Sequence, residues 1–110
     1  MRPGDATLTG KPYPIKGWFV YSSNILYALP NTSETLKAID NLDLLVVVDT
    51  IGSEIAGYAD VVLPESTFLE RHDELLVGFG RTGWTSLRQP VVAAPHEQKP
   101  GWWIAKELAK

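Results

Sequence analysis

Leu44-Leu45-Val46-Val47-Val48 is an unbroken apolar run that ends on Asp49 and passes into Thr50-Ile51-Gly52-Ser53-Glu54. A strand with one wet face alternates apolar and polar residues. A continuously apolar strand is expected where a parallel sheet is covered on both faces. Upstream, Asn31 can cap a helix and Glu34 can reach back to it, so the sequence predicts a helix from about Thr32 to Asn41. Its apolar positions Leu36, Ile39 and Leu42 form a stripe, while Glu34, Lys37 and Asp40 face water. Further upstream, Ile15-Lys16-Gly17-Trp18-Phe19-Val20-Tyr21 reads as a first strand that leaves through Ser22-Ser23-Asn24. Strand, helix and strand make a βαβ unit, which is almost always right-handed.

Downstream of the central run, Ser53 is expected to cap a short helix through about Tyr58. Val61-Val62-Leu63 then supplies a brief third strand closed by Pro64. The pattern therefore predicts an α/β domain with a short parallel sheet flanked by helices. Open sheets of this kind bind ligands beyond the carboxyl ends of their strands, which points to Ser22, Ser23 and Asn24 after the first strand. Asp49, Thr50 and Ser53 hold the same place after the second.

Outside this core the signals weaken. Residues 1–14 mix Gly4, Gly10, Pro3, Pro12 and Pro14 with polar residues and are expected to form a linker or disordered arm. Residues 15–71 make the core, with one helical turn expected over Ser66–Arg71. Residues 72–101 contain Gly78, Gly80, Gly83, Pro90, Pro95 and Pro100 and are expected to be irregular, apart from an edge strand over Thr85–Val92. So long a patternless stretch suggests that something else holds it. Residues 102–110 read as the start of a truncated helix with Trp102, Ala105, Leu108 and Ala109 on one face and no stop signal.

Composition removes several classes of function. The 110 residues are 45% hydrophobic, which suits one soluble domain. A formal charge of -3 without a dense Lys/Arg cluster argues against nucleic acid as a partner. No apolar run reaches the roughly 20 residues that cross a bilayer, and no export signal opens the chain. With no cysteine, these residues cannot form disulfides, thiolate metal sites or iron–sulfur ligands. His72 and His96 lack a metal-ligand spacing.

The run from Ile15 to Pro64, and above all Tyr58-Ala59-Asp60-Val61-Val62-Leu63-Pro64, resembles the molybdopterin-dependent oxidoreductases of the dimethyl sulfoxide reductase family. Three further stretches, Glu65-Ser66-Thr67-Phe68-Leu69-Glu70-Arg71, Leu87-Arg88-Gln89-Pro90-Val91-Val92 and Lys99-Pro100-Gly101-Trp102-Trp103-Ile104, look most like the large catalytic subunits of thiosulfate and polysulfide reductases. The resemblance implies a Rossmann-like three-layer domain that binds one guanosine end of a bis(molybdopterin guanine dinucleotide) cofactor carrying molybdenum. It further implies that the iron–sulfur cluster and the metal ligand lie outside this segment, and that the isolated segment is inactive. The implied partners are the remaining domains of the same polypeptide, with an electron-transfer iron–sulfur subunit plus a membrane anchor subunit. The implied location of the parent is the periplasm or the outer face of the cytoplasmic membrane.

Each singled-out residue has a plainer reading beside this one. The Asp49 carboxylate can accept two parallel hydrogen bonds from guanine, or it can cap or form a turn. Thr50, Ser53 and nearby N–H groups can meet ribose or phosphate. Asn24 matches the polar residue of the family's Gly-x-Asn-Pro-like loop, or is a turn residue. Ser22 replaces that loop's glycine and Ile25 its proline, so a different turn geometry is expected. Val48 and Gly101 stand where relatives often carry Gln and Asp. Gly101 can admit the nucleotide closely or simply loosen a helix start. Glu70-Arg71-His72-Asp73-Glu74 has the residue types of a proton-transfer site, although charge runs are usually solvated faces. Arg81 and Arg88 can neutralise pyrophosphate or lie on the surface. The rival to the cofactor reading is a non-catalytic α/β interaction module, expected to pack the helix from Trp102 completely. A nicotinamide-dependent enzyme is disfavoured because no G-x-G-x-x-G follows the first strand.

Overall fold

In the computed structural model, which describes residues 3–110, the predicted βαβ unit is present. Strand β1 (Gly17–Tyr21), helix α2 (Ile25–Ala28), helix α3 (Thr32–Asp40), strand β2 (Leu44–Asp49), a 3-10 helix (Glu54–Tyr58) and strand β3 (Val61–Pro64) follow in order. They build a three-stranded parallel sheet with β2 between β1 and β3. Trp18 stands opposite Leu45 and Val20 opposite Val47. These side chains enter a core completed by Leu26, Ile39 and Ile55, with Leu36 and Leu42 packed against it. Leu45, Val47 and Val48 are fully buried, as the apolar run predicts, and so is Ile55 from the 3-10 helix, whereas Leu44 at the start of the run is 45% exposed. Phe19 and Tyr21, whose positions alternate with Trp18 and Val20, remain about half exposed.

The cap predicted for α3 forms in both directions. The Glu34 backbone N–H donates to Asn31 Oδ1, and Asn31 Nδ2 donates to Glu34 Oε2 at 2.9 Å. Asp60 anchors the next connection, its carboxylate accepting from the Leu45 N–H at 2.7 Å while its own N–H donates to the Leu45 carbonyl.

The expected arm is corrected where it can be seen. Met1 and Arg2 lie outside the described residues, but Pro3–Thr9 forms helix α1, which packs on α3 and buries Ala6. The residues read as breakers are its punctuation. Pro3 opens the helix, and Gly10, at φ 68°, closes it by donating its N–H to the Ala6 carbonyl. A left-handed φ of this kind favours glycine.

The chain divides into two compact units, one running to Leu63 and the other from Pro64 to Lys110. The boundary therefore precedes Arg71, the end expected for the core. In the second unit, the stretch 72–101 expected to be irregular carries an antiparallel hairpin of β4 (Leu75–Gly78) and β5 (Trp84–Leu87). The expected edge strand is thus shorter and starts one residue earlier. Gly78 faces Trp84, and a Cβ at Gly78 would lie 2.0 Å from the indole, so the ring takes the space that a side chain would need. Ser66–Arg71 forms a turn instead of a helical turn. Helix α4 spans Gly101–Leu108 and buries Ile104. No helix among the described residues is long and apolar enough to cross a membrane.

Candidate functional site

The polar exits of β1 and β2 are joined through side chains. Asn24, just before α2, donates from Nδ2 to Glu54 Oε2 at 2.6 Å, across thirty residues of sequence. Next to Glu54, Ser53 Oγ donates to Asp49 Oδ2 at 2.9 Å. The other Asp49 oxygen accepts from the backbone N–H of Thr50 at 2.7 Å and of Ile51 at 3.5 Å. The Ser22 N–H donates to the Val48 carbonyl at 2.9 Å, which fixes where the first loop leaves the sheet. Asn24, Asp49, Ser53 and Glu54 are thus gathered at the carboxyl ends of two neighbouring parallel strands.

Asp49 is visibly a turn former, because its carboxylate organises its own loop. That role does not exhaust it, since an ionised carboxylate offers about four acceptor positions and three are used here. Ser53 differs from its expected part: it makes no side-chain cap to the 3-10 helix and turns to Asp49 instead. Asn24 likewise makes no side-chain cap to α2. Its amide orientation is set by Glu54, which can only accept, so the nitrogen faces Glu54 and the oxygen turns elsewhere. Asn24 Oδ1 is shut off from solvent without a partner among the described residues. A buried acceptor left in that state costs about 1–3 kcal/mol until a donor reaches it.

Ser22 has φ 47°, the left-handed region that glycine favours. A residue with a Cβ adopts this φ at a cost of about 1–2 kcal/mol. Ser23 is partly exposed and Thr50 is exposed. Gly101 opens α4 in the second unit. Glu54 is the member of this cluster that sequence reasoning does not single out, because its partner lies far away in the chain. The one available signal is its place beside Ser53 in the polar exit of β2.

The charge run behaves differently from a solvated face. Arg71 pairs with the buried Glu65 carboxylate, donates to the Ser66 carbonyl, and reaches Asp73 through Nε at 2.7 Å. Asp73 also pairs with Arg88, whose guanidinium lies over the Phe68 ring. Glu70 accepts from the Thr67 N–H at 2.8 Å and from Gln98 Nε2 at 3.3 Å. The Thr67 N–H, acting against partial burial and with help from Gln98, holds the Glu70 carboxyl below its usual range. These charges tie residues 65–73 to 88–98, and Arg88 is already paired. Arg81 is exposed. Among the described residues, no group of three or more His, Cys, Asp or Glu side chains is placed to hold a metal ion.

The comparisons with known proteins agree with this architecture. The family profile described as molybdopterin oxidoreductase matches residues 4–110. The molybdopterin-containing subunit of thiosulfate reductase from Salmonella typhimurium is 42% identical over 106 residues, covering 96% of this chain and 14% of that protein. One subunit of tetrathionate reductase from the same organism is 31% identical, over 93% of this chain and 11% of its own length. The solved structure of acetylene hydratase from Pelobacter acetylenicus superposes with a TM-score of 0.80 at 35% identity, covering 96% of this chain and 14% of that one. The chain therefore spans about one seventh of the length of such relatives. A family match over nearly every residue, with the α/β architecture that accompanies it, makes this chain a member of the molybdopterin oxidoreductase family.

Proposed function

We propose that this chain is the segment of a thiosulfate- or polysulfide-reductase-like catalytic subunit that binds one guanosine end of a bis(molybdopterin guanine dinucleotide) cofactor. The observation that carries the reading is the joined cluster Asn24, Asp49, Ser53 and Glu54 at the carboxyl ends of β1 and β2. The residues suit the group. Guanine presents two adjacent N–H donors, Asp49 keeps room for a further donor, and Asn24 Oδ1 is an acceptor in want of one. Ser22, Ser23 and Thr50 border the cluster and supply hydroxyls of the kind that meet ribose and phosphate. The molybdenum cofactor would supply the redox chemistry. These residues would bind and orient its nucleotide end, and the chain alone would turn over no substrate.

In the parent, the remaining domains of the subunit would complete the cofactor clamp, and an iron–sulfur subunit with a membrane anchor would deliver electrons. The rival reading, a self-contained interaction module, requires a fully packed C-terminal helix. Helix α4 instead leaves Trp102 and Leu108 about 60% exposed.

The test is a heteronuclear NMR titration of the chain with GMP and, separately, AMP. Shifts confined to 22–24 and 49–54, with GMP binding more tightly than AMP, are expected. Shifts scattered elsewhere, or equal saturation by both nucleotides, would overturn the assignment.

A further inference from the structure

The backbone of Asn24 is fixed where α2 begins, since its carbonyl accepts from the N–H groups of Tyr27 at 3.1 Å and Ala28 at 2.9 Å. Its side chain takes no part in capping that helix. Turning an amide over exchanges a donor for an acceptor with almost no change of shape, so a partner must choose between the two settings. Glu54 makes that choice. An ionised carboxylate only accepts, and among the described residues the single hydrogen bond of the Glu54 side chain is the 2.6 Å contact from Asn24 Nδ2. Glu54 is itself exposed, so no packing requirement puts a carboxylate at this position. Its backbone is nevertheless firmly seated. Ile55, the next residue, is fully buried in the core, and Ser53 on the other side is tied to Asp49.

We propose that Glu54 is a positioning residue for nucleotide selection: by holding Asn24 Nδ2 it makes Asn24 meet the ligand as an acceptor only, and so favours a base that presents N–H donors. The inference rests on the nucleotide reading above and gives Glu54 a part in it without requiring that Glu54 touch the nucleotide. Guanine meets acceptors with its ring N–H and exocyclic amine side by side. Adenine offers an amine beside a bare ring nitrogen, which needs a donor in return. An asparagine free to turn over serves either base, whereas one held by a carboxylate serves the first. The state of Asn24 Oδ1 follows from the same arrangement. With Nδ2 committed to Glu54, the oxygen is the group left over, and it has no partner among the described residues. Asp49, which also only accepts, adds a second acceptor at the neighbouring strand exit.

The test measures GMP and AMP affinities by NMR on the full chain and on two variants, with the backbone spectrum outside 22–24 and 49–54 as the check on folding. Glu54→Met keeps the length of the side chain and removes its acceptors. GMP binding is expected to weaken about tenfold and AMP binding to change less than about threefold, so that the preference for GMP shrinks. The second variant exchanges the pair, Asn24→Asp together with Glu54→Gln. The introduced amide then donates to the introduced carboxylate, whose other oxygen remains an acceptor for the ligand, and the total charge is unchanged. A GMP affinity within about threefold of the native chain is expected, with the preference over AMP retained. A native GMP preference in Glu54→Met would overturn the positioning role and leave the nucleotide reading standing. So would an exchanged pair that folds but loses the preference for GMP. Equal binding of GMP and AMP by the native chain would overturn the nucleotide reading and the role of Glu54 together.

Discussion

The units on either side of Pro64 are held together by different forces. From Ala6 to Ile55 the buried side chains are hydrocarbon with one exception, Thr35. From Pro64 onward the buried residues are Glu65, Ser66 and Ile104, so a carboxylate and a hydroxyl outnumber the single aliphatic group. The first unit is organised by burial of apolar area, which is non-directional and tolerant of detail. The second relies on charge pairs and backbone hydrogen bonds, which need particular partners and fail one partner at a time. The difference teaches why one unit presents a sheet whose strand exits can carry a site, while the other presents a knot of satisfied charges.

That contrast can be broken most severely in the first unit. Replacing Ile55 with alanine removes a fully buried side chain beneath the loop that carries Ser53 and Glu54. It is expected to cost about 2–5 kcal/mol in denaturant unfolding. A loss below about 1 kcal/mol would mean that the apolar core does not govern this unit.

In the second unit, Arg71→Met leaves the Glu65 carboxylate buried without its cation. The expected cost is about 3 kcal/mol, at the low end for a broken buried pair because Arg71 keeps some solvent contact. Adding Glu65→Gln should recover part of that loss. If the double variant is no more stable than Arg71→Met, the desolvated charge is not what the arginine compensates.

The smallest expected effect concerns Glu70. Its folded pKa lies below the unfolded value, so its contribution is fully present above about pH 4.3 and is lost as the pH falls through the folded pKa. Hydrogen exchange of the Thr67 amide should therefore accelerate below that pH in the native chain and change much less in Glu70→Gln. Identical acid profiles would remove Glu70 from the network.

The same division explains what is legible in the sequence. Asn31 with Glu34, the stripe Leu36, Ile39, Leu42 and the run Leu44–Val48 are short-range patterns with a period, and each is realised within a residue or two. Helix α1 is harder to see although its signals are present, because Pro3 and Gly10 read equally as breakers and as a start and a stop. The β4–β5 hairpin depends on pairings such as Leu75 with Leu87, which no local period announces. At the site, Asn24, Asp49 and Ser53 are legible from their places after apolar strands. The contact between Asn24 and Glu54 is not, because it spans thirty residues and depends on how two loops meet. Arg71 and Asp73 look like surface charge because sequence shows a charge and hides its partner.

The order β1-β2-β3 also bears on how the domain is made. Each strand lies beside the one translated before it, so the sheet can be laid down in the sequence in which a ribosome delivers it. No finished strand has to be parted to admit a later one. Helix α3 lies between β1 and β2 in the chain and covers the seam as the second strand arrives. Among these three strands, growth proceeds on the β2 side of β1 alone.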